Sequence, residues 1–255
     1  PMVGHGQIEG FREKYGMEYH RAYWDEHPND GLIARHEWQI FPLLRRRYLF
    51  ADIESFLLYD VFTPEGYVNE DVFAYSNGHG SERALIVYHN KYAEMRGWIK
   101  TSVAFMDKGS GRLVQKTLAA GLGLRGGAQD YILFRDLTSG LEYIRSSQEI
   151  VARGMYVELG AYKCNAFLDF REVFDAQGKY AAACAALSGA GVRSVEELVS
   201  QMFAPAAPPA EAKAPAARPR KRKPSRRVAA KPQKPAAKGK PARRQKKPAA
   251  VKKTK

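Results

Sequence analysis

Every one of the 29 aromatic residues in this 255-residue chain lies before residue 204. A chain with no aromatic and almost no aliphatic side chains cannot bury enough apolar surface to offset its ordering entropy. A packed core can therefore be built only from residues 1–203. Residues 204–255 hold 19 of the 41 Lys+Arg, 10 of the 14 prolines and a single acid, Glu211. Ala, Pro, Lys and Arg make up 44 of those 52 residues, a composition that predicts a disordered, charge-extended tail. The tail carries a net +18 and residues 1–203 a net −4, so the overall charge of +14 belongs to the tail. A basic nucleic-acid-binding fold is thereby excluded for the body.

No apolar run approaches the 18 residues or so that a membrane helix needs. The opening Pro1–Gly6 has neither a basic n-region nor an apolar h-region, which argues against a secretory signal. Two cysteines, Cys164 and Cys184, make no disulfide framework and point to a reduced, cytoplasmic setting. The first residue is Pro, which favours reading the chain as the C-terminal piece of a longer protein.

Hydrophobic periodicity organises the body. Residues 1–29 are glycine- and aromatic-rich with little period. From Asp30, a plausible N-cap, Leu32, Ile33, His36, Ile40, Leu43, Leu44 and Tyr48 recur at helical spacing; Pro42 is expected to kink or divide that helix. Period-2 segments follow: Ile53–Phe62, Val68–Tyr75, Ala84–Asn90, Trp98–Met106, Leu113–Leu118, Tyr131–Asp136, Glu142–Ser147, Met155–Leu159 and Lys163–Phe174. Gly-rich turns separate many of them, which predicts an antiparallel β-sandwich over 51–175. Residues 177–187 and 194–203 read as short helices in a helical segment 176–203, the second opened by a Ser194/Glu197 capping box.

Motifs for chemistry are mostly negative. Gly121-Leu122-Gly123-Leu124-Arg125-Gly126 has the letters of a dinucleotide fingerprint, but the element after it reads as a strand, leaving no helix N-terminus for a phosphate. His36-Glu37-Trp38-Gln39-Ile40 begins like a zincin helix and lacks the second histidine. No three histidines share a face, and neither a metal nor a cofactor is expected. Acid pairs such as Asp25/Glu26 and Asp169/Glu172 occur, with nothing to mark one as a catalytic pair.

The segment Pro1-Met2-Val3-Gly4-His5-Gly6-Gln7-Ile8-Glu9-Gly10 resembles the end of the eighth strand of an α-amylase-type barrel, glycoside hydrolase family 13. Phe11–Tyr19 is similar to the post-barrel loop of a bacterial subgroup of that family. Phe41-Pro42-Leu43-Leu44-Arg45 resembles the eighth barrel helix, and Val72–Ser76 with Arg83–Asn90 the opening strands of the C-terminal β domain. The resemblance implies an α+β fragment: residues 1–50 as the last strand, loop and helix of a (β/α)8 barrel, 51–175 as a C-terminal antiparallel β-sandwich, and 204–255 as the basic tail. It implies an α-glucan or maltooligosaccharide substrate for the longer parent, a hydrolase or glucanotransferase. The family's catalytic carboxylates come from strands four, five and seven, so this chain alone is expected to be inactive. In a barrel the loops after the strands face substrate, which makes His5, Gln7, Glu9 and Tyr15 the substrate-proximal candidates. The tail is similar to the Ala/Pro/Lys-rich arms of linker histones. Arg218, Arg220, Lys221, Arg222, Lys223, Arg226, Arg227, Arg243, Arg244, Lys246 and Lys247 are candidates for binding nucleic acid or another polyanion through backbone charge. The alternative to the hydrolase fragment is a non-catalytic sandwich adaptor acting through that tail.

Overall fold

The computed structural model of the protein describes residues 3–13, 21 and 23–204. Its ten strands, six helices and one 3-10 turn belong to one α+β unit. The strands are β1 (Leu57–Phe62), β2 (Val72–His79), β3 (Glu82–His89), β4 (Met95–Ser102), β7 (Asp130–Asp136), β8 (Leu141–Ser146), β9 (Met155–Leu159) and β10 (Cys164–Phe174), with the short hairpin β5 (Phe105–Asp107) and β6 (Arg112–Val114) set apart. Eight of them form one sheet in the order β8-β7-β10-β3-β2-β1-β4-β9, and every neighbouring pair is antiparallel.

The expected two-sheet sandwich is replaced by this single sheet. The cause is β10, eleven residues long with a register shift between Leu168 and Arg171. It inserts between β3 and β7 and joins what would have been two sheets into one ladder. Laid flat, seven interstrand spacings would part the edges β8 and β9 by about 33 Å. Instead Tyr143 and Arg145 of β8 and Met155 and Tyr156 of β9 line one cavity, so the sheet is curled. Its inner face holds a single core to which Tyr59, Val61, Ala74, Leu85, Val87, Ile99, Ile132, Phe134, Val157 and Phe167 contribute.

Two helices fill the interior further. In α3 (Leu118–Leu122), capped by the Thr117 hydroxyl, Leu118, Ala119 and Leu122 are buried; in α4 (Ser147–Arg153), capped by Ser146, Ile150 is buried. The reading of Leu113–Leu118 as a strand stops short here, because the Thr117 and Ser146 caps start helices inside an apolar pattern of either period. On the outer face, α5 (Lys179–Leu187) and α6 (Val195–Met202) cover Leu133 and Ile144. That is why β7 reads Tyr-Ile-Leu-Phe without alternation: both of its faces are buried. The Ser194 hydroxyl accepts from the Glu197 N–H at 3.2 Å, the first of the two bonds of the expected capping box.

The helical run from residue 30 divides where Pro42 predicts. α1 (Asp30–Gln39) is capped by Asn29 rather than Asp30, α2 (Phe41–Arg45) carries Pro42 in its first turn, and a 3-10 turn spans Arg47–Phe50. This arm docks on the outer face of the sheet through Leu49, which is buried against Ala84 and Leu168 with Leu43 and Phe50 around it. Arg46 pairs with Asp169 at the β10 bulge at 2.5 Å, and the Tyr48 hydroxyl donates to Glu82 at 2.9 Å.

Candidate functional site

Residues 3–13 are turns rather than a strand, and their fold follows from two glycines. Gly6 is buried at φ +70°, and a Cβ there would lie 2.5 Å from the Phe11 Cβ. Gly10, at φ +83°, would place a Cβ 2.9 Å from Leu32. The Gly6 carbonyl accepts from the Gly10 and Phe11 N–H groups at 2.7 and 2.9 Å, closing the loop that carries His5, Gln7 and Glu9. The Glu9 carbonyl accepts from the Asn29 N–H at 2.8 Å, which ties the loop to the cap of α1.

Within that loop the candidates differ. His5 is exposed and packs its ring 5.9 Å from Phe11. Gln7 is exposed, but its amide oxygen turns back to accept from the Gly4 N–H at 2.7 Å, leaving the NH2 end for a ligand. Glu9 is half-buried, and its carboxylate makes no hydrogen bond among the described residues. Tyr15 and the tail's basic clusters lie outside the described residues. Tyr23 and Trp24 are 66% and 60% exposed, and their N–H groups are held by the Glu13 carboxylate at 2.7–3.0 Å. The Glu26 carboxylate in turn accepts from the N–H groups of Arg12 and Glu13, and those bonds lower its pKa. Both acids brace backbone.

The glycine-rich run 121–126 is also occupied by the protein itself. Gly123 ends α3 in the left-handed region, and the loop beyond it wraps a carboxylate. The Arg125 N–H donates to Glu172 at 3.0 Å and the Arg125 Nε at 2.9 Å. Burial opposes ionisation of Glu172, but the donors around it, Ser147 first and then Arg125 and the Gly126 N–H, together outweigh it and hold the carboxyl below its usual range. An internal anion thus sits where a nucleotide phosphate would have to sit. We expect Glu172→Gln to lower stability at pH 7 by about 1.5–3 kcal/mol. The depressed folded pKa makes this stabilisation complete above the unfolded value of about 4.3 and lost as pH falls through the lower folded value. Urea unfolding of wild type and variant at pH 7 and pH 3 should show the gap closing at the lower pH.

Among the described residues no cluster of three His, Cys, Asp or Glu could hold a metal. His89 is buried, with Nδ1 3.1 Å from the Gly160 carbonyl. Cys164 is exposed and Cys184 half-buried, and burial pushes the Cys184 thiol up.

Two cavities were not legible in the sequence. One, of about 820 Å³, lies between the arm and the sheet and is lined chiefly by Leu43, Leu44, Tyr48, Phe50, Tyr75 and Ile86. The other, of about 560 Å³, opens at the seam between β8 and β9 beside Trp98, Arg145, Glu149 and Tyr156. Arg145 donates to the Ile144 and Gly189 carbonyls and has no carboxylate in salt-bridge contact among the described residues; burial lowers its pKa. β8 and β9 meet only because the sheet curls, so no local pattern marks this seam.

Fold and loop together define a β-rich α+β protein built on one curled antiparallel sheet, with an N-terminal helical arm on its outer face. No helix among the described residues is long and apolar enough to cross a membrane. No protein-family model matches the chain, and no curated protein matches it.

Proposed function

We propose that this chain is the C-terminal part of an α-glucan-acting glycoside hydrolase or glucanotransferase working in the cytoplasm. On this reading segment 1–50 is the end of a (β/α)8 barrel and the curled sheet is its accessory β domain. The catalytic carboxylates belong to earlier barrel strands, and the 255 residues alone are inactive. The observation that supports it is α1. This ten-residue helix fully buries none of its side chains, with Leu32, Ile33, His36 and Gln39 half-buried, and its Trp38 is 52% exposed. The other end of the same arm is anchored by Leu49, at 1% exposure. A helix that leaves its apolar side chains partly in water is an unfinished contact, and the missing wall of a barrel would complete it. His5, Gln7 and Glu9 would then lie at the barrel's substrate face, where an amide and a carboxylate hydrogen-bond sugar hydroxyls. The test is the coding frame upstream of Pro1. It is expected to run on through a barrel-sized stretch with Asp, Glu and Asp at the ends of strands four, five and seven. A start codon directly before Pro1 would remove the proposal.

A second reading, the adaptor, is favoured by one observation, the +18 charge of residues 204–255. With no aromatic side chain to stack on bases, binding would be to phosphates alone. Engaging about five phosphates of duplex DNA would give a log–log salt slope of about −4.5. The full chain should show such a slope and a chain ending at residue 203 should show no binding. A full chain whose affinity ignores salt would sink this reading.

A further inference from the structure

One aromatic pair belongs neither to the core nor to the N-terminal loop. Tyr92 sits in the β3–β4 turn and Tyr162 in the β9–β10 turn, with ring centroids 6.2 Å apart and planes at 40°. They are 84% and 58% exposed. Tyr162 holds φ +53°, a left-handed conformation that glycine adopts freely and an aromatic residue adopts at a cost. Strain at an exposed side chain that packs nothing in the core is the kind that function retains.

The pair is held firmly. The Tyr162 N–H donates to the Lys91 carbonyl at 3.2 Å, the His89 N–H to the Lys163 carbonyl at 3.0 Å, and the Asn90 N–H to the Asp71 carbonyl at 2.8 Å. Buried His89 braces the Gly160 carbonyl from below, and Lys91 is paired with Asp71 at 2.7 Å. The Tyr88 hydroxyl donates to Asn90 at 3.2 Å and orients that amide beside the turn. Neither the Tyr92 nor the Tyr162 hydroxyl is hydrogen-bonded among the described residues.

The geometry points to a non-catalytic platform for a neutral oligosaccharide, with Tyr92 and Tyr162 stacking on the C–H faces of pyranose rings. Three features select that chemistry. The rings are preorganised, so little entropy is lost on binding. Their free hydroxyls and Asn90 supply polar groups at the rim for sugar hydroxyls. Lys91, next to Tyr92 in the chain, is ion-paired with Asp71 at 2.7 Å and so is not free to recruit an anion. Naming the sugar as an α-glucan rests on the function proposed above; the platform itself does not.

Calorimetric titration of the full 255-residue chain with maltoheptaose, and separately with cellohexaose, tests both levels. Wild type is expected to bind maltoheptaose, and Tyr92→Ala and Tyr162→Gly each to weaken it about tenfold. Tyr67→Ala, which removes an isolated tyrosine exposed to 74%, should leave binding unchanged. Tyr162→Gly should also leave the melting temperature equal or higher, because glycine relieves the strain; a merely structural Tyr162 would lower it. Undiminished maltoheptaose binding in both variants would overturn the platform and leave the glucan reading standing. Binding of cellohexaose alone, lost in both variants, would keep the platform and overturn the α-glucan assignment. No binding of either sugar by wild type would overturn the platform.

Discussion

Phe134→Ala is expected to lower the unfolding free energy by about 3–5 kcal/mol, the range for removing a fully buried aromatic side chain. Phe134 is 2% exposed on the inner face of β7. Its ring stacks on Tyr143 at 5.6 Å and on Phe170 at 5.3 Å, and meets Phe167 edge-on at 5.2 Å. The substitution therefore removes apolar area and three ring contacts at once, at the place where β7, β8 and β10 converge. Denaturant unfolding followed by tryptophan fluorescence would measure it. A loss under about 1 kcal/mol would mean that the site collapses around the gap and that this part of the core is loosely specified.

Gly154→Ala is expected to cost about 3 kcal/mol or more. Gly154 joins α4 to β9 at φ +84° and ψ −170°, a region that essentially only glycine occupies. A Cβ there would lie 2.3 Å from the Ile99 carbonyl oxygen and 2.8 Å from the Lys100 Cα. Both are backbone atoms of β4, the strand on which β9 is hydrogen-bonded, so neither can swing aside as a side chain would. Strain and overlap add. Gly111→Ala is the control: φ is +64° there too, but nothing lies within 4 Å, so only about 1–2 kcal/mol of left-handed strain is expected. Equal melting temperatures for the two variants would show that the overlap is absorbed by movement of β9.

These two positions both border the seam between β8 and β9. Gly154, Met155 and Tyr156 line its larger cavity together with Arg145, so a shift of β9 would move one of its walls. The N-terminal loop is independent of this. It is closed by Gly6 and Gly10 and braced by Glu13 and Glu26, all within the first 29 residues.

That difference in range explains what could be read in advance. The loop's turns were legible because Gly6 and Gly10 announce left-handed backbone locally. The inward fold of the Gln7 amide was not legible, because a glutamine carries no local signal for its rotamer. The Tyr92–Tyr162 pair was invisible for a stronger reason: seventy residues of chain separate the two, and the pairings of β3 with β10 (Tyr88 opposite Cys164) and of β4 with β9 (Met95 opposite Leu159) bring their turns together.

By itself, the sequence determined where a core could exist, because aromatic side chains end at residue 203 and the larger aliphatic ones all but end there too. It also determined the helix break at Pro42, the Ser194 cap and most strands, since backbone sterics and period-2 burial act over a few residues. Tertiary structure alone decided that the strands make one curled sheet. Strand order depends on which edges meet after collapse, and β10 had to find β3 and β7 across intervening strands and helices. It also decided that Glu172 fills the glycine-rich loop and that no side chain of α1 is fully buried. Those outcomes depend on groups distant in sequence meeting, or failing to meet, in space.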